Sequence, residues 1–329
     1  MTDPGTDPKN STSDAPWRAA LAQIAPAVLD RATTLARVRA RVEEAAAAGA
    51  RLVVFGEALV PGYPVWLDRA DGARFESAEQ KEIHARYVDQ SVHIDHGQLD
   101  ELRQVCGDLG IAASLGVMER THERGESLFC SSVLVTADGT LVPVHRKLMP
   151  TYEERLAWAH GDAAGLRTHA LGPFQCGRLL CWENWMPAAR AALHGDGETL
   201  HLAHWPGGAH NTEPTTRFLA REGRSFVLAA SGFLRASDLP DDLPALDRIA
   251  PDPNEVILNG GSAAAGPDGE WIVEPIVGEE ALVTVDLDPA LVRRERQNFD
   301  PAGHYARPDV LRLTVDRRRQ RTVEFVDGP

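Results

Sequence analysis

Residues 177–187 read Gly177-Arg178-Leu179-Leu180-Cys181-Trp182-Glu183-Asn184-Trp185-Met186-Pro187. The pattern predicts that a short buried strand ends at Cys181 and that a helix begins at Pro187, where the missing N–H would have no partner in any case. A cysteine at such a turn lies beside unpaired backbone N–H groups and near the positive end of a helix dipole, which favours a thiolate and the binding of an oxyanion. The alternative is that Cys181 is a small buried apolar residue, as free cysteines commonly are. This segment alone does not decide between the two interpretations.

Two other polar residues also follow apolar runs. Glu57 comes after residues 52–55, and Lys147 comes after residues 141–144. Functional groups of α/β proteins gather at strand ends, so a carboxylate, an ammonium and a thiol here indicate one site. The carboxylate can take the thiol proton, and the ammonium can favour the thiolate and stabilise negative charge on a substrate. Spacing alone does not show that the three meet, and a solvated strand end remains the alternative for Glu57.

The composition excludes several classes of function. The chain has 329 residues, 43% hydrophobic and 25% charged, which is ordinary for a globular enzyme. A net charge of −14 argues against a nucleic-acid partner. The sequence has no run of about 18 apolar residues, so we expect no membrane span. Four cysteines without paired spacing favour a reducing cytoplasm over a disulfide framework.

We expect no metal and no cofactor from the motifs. Cys176 and Cys181 point to opposite faces of a strand, and the chain has no Cys-x-x-Cys pair. The histidines His201, His204 and His210 lie near one another in the sequence, but their spacing matches no metal motif. Packing or pocket lining is the simpler interpretation of these three.

Strands and helices alternate along the chain, with hairpins among the crossover units. Strands are predicted at residues 18–24, 52–55, 111–118, 128–136, 141–144, 178–181, 200–205, 225–230, 260–265, 271–273 and 282–285. One helix is predicted to end at Gly49, a second to begin with a capping box at Ser77 and Gln80, and a third to bury Leu99, Leu102, Val105 and Leu109. This pattern predicts an α/β fold with two stacked mixed sheets covered by helices, a four-layer α-β-β-α sandwich.

Two segments are predicted to lie outside this core. Residues 234–259 are rich in proline and aspartate, which indicates a long surface loop. The highly charged residues from Asp286 onward are a candidate arm for contact with a partner subunit. The polar residues 1–16 are predicted to be a disordered tail.

Three motifs, in the same order along the chain, resemble those of the nitrilases, the nitrile-hydrolysing branch of the carbon–nitrogen hydrolase superfamily. The segments that carry the resemblance are Gly56-Glu57-Ala58 with Gly62-Tyr63-Pro64, then His145-Arg146-Lys147-Leu148-Met149-Pro150-Thr151 with Glu154-Arg155-Leu156 and Gly161-Asp162, then Cys181-Trp182-Glu183-Asn184-Trp185-Met186-Pro187, and finally the similar segment Asp300-Pro301-Ala302-Gly303-His304-Tyr305. Two positions depart from the family. Gly56 stands where proline often precedes the glutamate, and Pro61 stands where glycine is frequent. The resemblance implies a hydrolase domain at residues 17–305 and a C-terminal extension at residues 306–329.

The resemblance also implies a role for each motif residue. Glu57 would be the general base and Cys181 the nucleophile, which forms a thioimidate and then a thioester. Lys147 and the backbone N–H of Trp182 would stabilise the anionic intermediates. Glu154 would orient Lys147 and the substrate, although a solvated acid in the run Glu153-Glu154-Arg155 is the alternative. The partners implied are an organic nitrile and water, with the carboxylic acid and ammonia as products, and a second copy of the chain in a homodimer or larger homo-oligomer.

Several alternatives stay open at this point. An amidase, a carbamoylase or a cyanide dihydratase would use the same four residues, although the run from Trp182 to Asn184 favours the nitrile branch. A cysteine–histidine hydrolase using His145 or His160 and a non-catalytic scaffold are the other classes considered. Aromatic residues that flank the motifs are predicted to line the substrate pocket, namely Tyr63, Trp66, Trp182, Trp185 and Trp205. They do not distinguish among aromatic, arylaliphatic, aliphatic and cyanide substrates.

Overall fold

The computed structural model describes residues 16–323 and Val326. The predicted disordered tail, except Pro16, lies outside the described residues. The strands are β1 Trp17–Gln23, β2 Leu52–Phe55, β3 Ala112–Arg120, β4 Leu128–Val135, β5 His145–Arg146, β6 His169–Leu171, β7 Phe174–Leu180, β8 Leu200–Trp205, β9 Phe226–Ser231, β10 Phe233–Arg235, β11 Val256–Ala265, β12 Trp271–Val277 and β13 Ala281–Leu287. The α-helices are α1 Arg31–Ala47, α2 Trp66–Arg69, α3 Ala78–Gln90, α4 Asp100–Leu109, α5 Pro187–Gly195, α6 Ala209–Gly223, α7 Leu246–Ile249 and α8 Pro289–Arg296. None of the described helices combines the length and the apolar character that a membrane span requires.

The strands form two mixed sheets. The first has six strands in the order β13-β1-β2-β3-β4-β5, and the second has seven, in the order β10-β11-β9-β8-β7-β6 with β12 paired to β11. In each sheet a parallel centre carries antiparallel neighbours: β1, β2 and β3 are parallel in the first, and β7, β8 and β9 in the second. Parallel central strands need crossover helices, which cover the outer faces.

The two sheets pack face to face and bury an apolar layer between them. Alternate residues of β1 and β2, such as Leu21 and Val54, meet Leu202 and Leu228 of the second sheet. The residues between them, such as Val53, point to the other face of the first sheet and pack against α1 and α4. Helices α5 and α6 cover the outer face of the second sheet. The predicted four-layer α-β-β-α sandwich with two stacked mixed sheets is therefore confirmed.

The boundaries of several elements differ from the prediction. Residues 141–144 are not a strand: Leu141 forms only an isolated bridge to Val135, and the strand that pairs with β4 is β5. Pro143 lacks an N–H for a ladder hydrogen bond, which explains the shift. In α4, Leu109 is 44% exposed and Cys106 takes its place in the core. The Ser77 hydroxyl caps α3 as predicted, but the Gln80 side chain donates to Ala70 O rather than back to Ser77.

The prediction of a long surface loop at residues 234–259 is wrong for part of that segment. It contains β10, α7 and the start of β11. Leu239, Leu243 and Ile249 are buried in one cluster with Trp66 and Tyr87. Apolar residues spaced among the prolines and aspartates thus make this segment part of the core.

The C-terminal extension contacts its own chain through two arginines. Arg319 donates to Asp162 Oδ1 at 2.8 Å and to Val144 O at 2.9 Å, and Arg317 forms an ion pair with Asp196. Contact of this segment with a partner subunit stays a prediction.

Gly116 in β3 lets the turn after β2 approach closely. A Cβ added at Gly116 would lie 2.4 Å from Ala58 N and 2.5 Å from the Glu57 Cα. The Gly116 N–H donates to Gly56 O at 3.0 Å in the same contact. Glycine is required here because two backbones touch.

We predict that Gly116→Ala lowers the free energy of unfolding by more than about 2 kcal/mol, because the added methyl group forces rigid backbone apart. Gly195→Ala is the matched control, since an added Cβ there meets nothing within 4 Å. We expect the control to be neutral or slightly stabilising at the end of α5. Urea unfolding of both variants checks this, and equal midpoints would contradict the steric account.

Candidate active site

The ends of three strands bring the motif residues together from both sheets. Glu57 follows β2 by two residues, Lys147 follows β5 directly in the same sheet, and Cys181 follows β7 directly in the other sheet. Glu154 lies in a 3₁₀ turn, Tyr152–Leu156, that follows Lys147. Each of the four side chains is at least 97% buried. The structure therefore unites all four predicted catalytic residues at one edge of the sandwich.

The Lys147 ammonium lies between two carboxylates. Its Nζ donates to Glu57 Oε1 and to Glu154 Oε2, both at 2.6 Å, and lies 5.2 Å from the centre of the Trp158 ring. Burial alone would lower the pKa of Lys147, but the charges of Glu57, Cys181 and Glu154 raise it above its ordinary value. Lys147 is thus a fixed positive charge in a dry site. The alternative of a solvated Glu154 is excluded by its burial.

The two oxygens of Glu57 have different surroundings. Oε1 accepts from Lys147 and also from the thiol of Cys130 at 3.3 Å, whereas Oε2 is buried and has no hydrogen-bond partner among the described residues. Burial raises the pKa of Glu57 to about 7, against the opposing effect of Lys147. A carboxylate with one free oxygen and a pKa near neutrality fits a general base.

Cys181 lies in a strained turn. Its φ is +48°, in the left-handed region that non-glycine residues avoid at a cost of about 1–3 kcal/mol. Ala58 in the glutamate motif and Tyr152 in the lysine motif share this feature, with φ of +48° and +35°. Strained backbone in all three motifs fixes the directions in which their side chains leave the chain.

Several groups act in opposite directions on the pKa of Cys181. Burial raises the pKa of its thiol well above the ordinary value, although Lys147 and the backbone N–H of Trp182 lower it. Glu57 and Glu154 add to the rise, because a thiolate would be a third negative charge beside one ammonium. The turn thus favours the thiolate as expected, through the Trp182 N–H, but burial and the two carboxylates outweigh this contribution and keep the resting thiol protonated. The thiol needs a base.

Glu183 joins the cysteine turn to the lysine loop. Its carboxylate accepts from Leu180 N–H at 2.8 Å, from Leu148 N–H at 2.6 Å and from His145 Nε2 at 3.0 Å. Burial alone would raise the pKa of Glu183, but these partners lower it below the ordinary value. His145 is thus committed to Glu183, which removes the basis for a cysteine–histidine hydrolase at that residue. The sequence contained Glu183 within the motif but gave no sign of its three partners.

A second buried chain of hydrogen bonds holds the Cys181 backbone. Asn184 Nδ2 donates to Cys181 O at 2.8 Å, and Asn184 Oδ1 lies 2.7 Å from His201 Nε2. His201 Nδ1 in turn lies 2.8 Å from Glu198 Oε1. The carbonyl of Cys181 is therefore fixed from behind by β8 and its preceding turn.

His204 connects the two sheets beneath the site. Its Nδ1 donates to Phe55 O at 2.7 Å, and its Nε2 lies 3.1 Å from the hydroxyl oxygens of both Ser114 and Ser132. Burial lowers the pKa of His204 to about 3, so the ring is neutral. This residue holds the end of β2, and with it Glu57, against β8. His201 and His204 are structural, as the packing interpretation predicts.

Four of the five predicted pocket-lining aromatics fall into two groups. The Tyr63 hydroxyl donates to Glu154 Oε1 at 2.9 Å, and Trp205 packs in the same buried cluster as Cys181. Trp182 and Trp185 are 43% and 44% exposed, and their rings stack with centres 4.8 Å apart. Tyr63 and Trp205 thus adjoin the catalytic groups, while the other two rings lie at the protein surface.

The departure at Gly56 has a structural reason. A Cβ added at Gly56 would lie 2.7 Å from Gly232 N. The N–H groups of Glu57 and Gly232 both donate to Trp205 O at 3.0 Å. The two sheets are therefore joined backbone to backbone immediately before Glu57, and no side chain fits between them.

Comparison with known proteins agrees with this site. The carbon–nitrogen hydrolase family model matches residues 18–297. An aliphatic nitrilase from Sinorhizobium fredii is 36% identical over 93% of this chain and 98% of its own length, and nitrilase 2 from Arabidopsis thaliana is 32% identical over 94% and 91%. The crystal structure of an amidase from Nesterenkonia sp. has a TM-score of 0.63 at 21% identity, covering 88% of this chain and 97% of that one, and shows the shared fold. By these matches, the chain belongs to the nitrilase branch of the carbon–nitrogen hydrolase family.

Proposed function

We propose that this protein hydrolyses an organic nitrile to the carboxylic acid and ammonia, with Cys181 as nucleophile. The observation that carries the proposal is the buried Oε2 of Glu57, which no described residue hydrogen-bonds, on a carboxylate whose pKa burial raises to about 7. The similarity to curated nitrilases over nearly the whole chain supports the choice of substrate class. Residues 17–305 form the proposed hydrolase domain and residues 306–329 its C-terminal extension.

In the first half of the reaction, Glu57 takes the proton of the Cys181 thiol. The sulfur attacks the nitrile carbon, and Glu57 passes the proton that it took from the thiol to the nitrile nitrogen, which gives a thioimidate and restores the Glu57 carboxylate. Lys147 and the Trp182 N–H stabilise the negative charge that develops on nitrogen. Lys147 meets this need because Glu57 and Glu154 already hold it in place, so little reorganisation accompanies the reaction.

In the second half, Glu57 activates a water that adds to the thioimidate carbon. The tetrahedral intermediate loses ammonia and leaves a thioester. A second water hydrolyses the thioester to the carboxylic acid and restores the thiol. The balance is one nitrile and two waters to one acid and one ammonia.

We further propose that Tyr63 and Trp205 contact the substrate, since they adjoin Glu154 and Cys181. We retain Trp182 and Trp185 as candidates at the mouth of the pocket.

A cytoplasmic location is proposed because all four cysteines are free and buried thiols. An amidase or cyanide dihydratase would use the same four residues, so substrate assays decide among them.

We also propose a homodimer or larger homo-oligomer that forms through the α5–α6 side. Phe218 is 57% exposed there, beside Arg190, and the Trp182–Trp185 pair is linked to the same helix by the hydrogen bond from Trp185 to Thr215. Exposed apolar side chains grouped on one face are typical of protein interfaces.

The first prediction concerns the nucleophile and the substrate. The wild type should release ammonia from members of a panel of aliphatic, arylaliphatic and aromatic nitriles faster than from the corresponding amides. Cys181→Ala should release none, with an unchanged circular dichroism spectrum. Cys106→Ala, which removes another buried thiol far from the site, should keep the wild-type rate. Turnover by Cys181→Ala would refute the proposal. A faster reaction with amides or with cyanide would show that these compounds, and not organic nitriles, are the substrates.

The second prediction concerns pH. Because the base must be ionised, kcat/KM should rise with pH and level off above about 7. The negative charge of Glu154 raises the pKa of Glu57. In Glu154→Gln the rising limb of the kcat/KM–pH profile should therefore move to lower pH, and kcat should fall. Glu153→Gln is the neighbouring control and should leave the limb in place. Glu57→Gln should lower kcat about 10²–10⁴-fold. A limb that stays fixed in Glu154→Gln would contradict the charge coupling.

The third prediction concerns assembly. Phe218→Asp should reduce the mass measured by light scattering, because a charge replaces an apolar contact at the proposed interface. Phe75→Asp is the control, since Phe75 is 90% exposed on a different part of the surface. An unchanged mass for Phe218→Asp would place the interface elsewhere on the surface. A monomeric wild type would contradict the proposed oligomer.

A further inference from the structure

Three histidines outside the active site converge in space. His93 precedes a 3₁₀ turn, Ile94–His96, between α3 and α4, and His96 ends that turn. His122 begins another turn, His122–Arg124, between β3 and β4. The rings of His93 and His96 stack with centres 3.6 Å apart, and the Nε2 atoms of His96 and His122 are 2.8 Å apart. One ring nitrogen from each of the three lies within 4.8 Å of the others.

The cluster has an unsatisfied buried donor or acceptor. His93 is buried, with 7% of its surface exposed, and its Nδ1 has no hydrogen-bond partner among the described residues. A buried polar atom without a partner costs about 1–3 kcal/mol. All three histidines line one cavity of about 280 Å³. A group that accepts electron pairs from imidazole nitrogens would satisfy this atom.

The surrounding charges permit a cation. Asp89 and Glu126 line the cavity and Asp95 lies in the same turn. Arg120 also lines it, but its guanidinium is paired with Glu126 at 2.8 Å. Arg120 and Glu126 thus neutralise each other, which leaves Asp89 and Asp95 as the acids beside the three rings.

We propose that His93, His96 and His122 bind one divalent transition-metal ion of the Zn²⁺ type. Neutral imidazoles suit Zn²⁺, Ni²⁺ and Cu²⁺, whereas Mg²⁺ and Ca²⁺ require oxygen ligands. Ligand nitrogens about 2.0–2.1 Å from a tetrahedral Zn²⁺ are roughly 3.3 Å from one another. In this cluster the Nε2 atoms of His96 and His122 are 2.8 Å apart, and one nitrogen of each ring lies within 4.8 Å of the others. One of the two stacked rings, His93 or His96, has to turn so that both nitrogens face the ion, and water takes the fourth position.

The ion would fasten two connections of the first sheet to each other. His96 and His122 are 26 residues apart in the chain, and the ion would hold the segment after α3 against the β3–β4 connection. None of the three histidines contributes to the proposed nitrile chemistry. Metal binding is therefore expected to affect stability, and its test is independent of turnover.

The test uses the full chain without a polyhistidine tag, treated with EDTA and desalted. Native mass spectrometry with added Zn²⁺ should show one ion per chain, and calorimetry should show a rise in Tm of at least about 2 °C. His96→Gln and His122→Gln should each lower Zn²⁺ affinity at least about tenfold, because loss of groups that merely support a metal already costs that much. Both replaced rings are partly or fully exposed, so the fold should survive.

Two controls identify the ligands. His304→Gln removes an exposed histidine elsewhere and should bind Zn²⁺ as the wild type does. Cys181→Ala should also retain binding, which excludes the thiol as the ligand. The proposal is overturned if the wild type binds no stoichiometric Zn²⁺, if His96→Gln and His122→Gln bind normally, or if binding is lost in Cys181→Ala.

Discussion

The Lys147 ammonium, held between the carboxylates of Glu57 and Glu154, is the contact on which the site depends. Removing a carboxylate or an ammonium from water is costly unless each finds a close partner. Two hydrogen bonds of 2.6 Å supply those partners. One positive charge nevertheless faces two negative ones, and burial adds to this imbalance. The site therefore favours a retained proton, which explains both the raised pKa of Glu57 and the neutral Cys181 thiol.

Stacking of the two sheets makes this charge cluster possible. Glu57 and Lys147 come from the first sheet and Cys181 from the second, so the site forms only when the strand ends coincide. His204 bonds to Phe55 O, and the N–H groups of Glu57 and Gly232 share the carbonyl of Trp205. Glu183 then ties the cysteine turn to the lysine loop. Hydrogen bonds that carry no chemistry thus fix the distances on which the chemistry depends.

Local sequence patterns predicted the strand ends and the layered fold because apolar runs and helix signals are local. Glu57, Lys147 and Cys181 were predictable as site residues because each follows such a run, whereas Glu154 was assigned only through the resemblance to the nitrilases. The sequence could not show the proton state of Cys181, since that depends on Glu57 and Glu154, distant residues that add negative charge to a buried site. It also missed the Cys130 contact with Glu57 and the cluster around His93, because those pairings arise only when separate strands and turns meet.

The direct test of the central claim is the protonation of Glu57 in the resting enzyme. Infrared difference spectra of the wild type and Glu57→Gln across pH 5–9 isolate the C=O stretch of the protonated carboxyl. We predict a band that is absent from Glu57→Gln and disappears with a midpoint of about 7. A Glu57 that is already ionised at pH 5, as expected from the ordinary value of 4.5, would contradict the account.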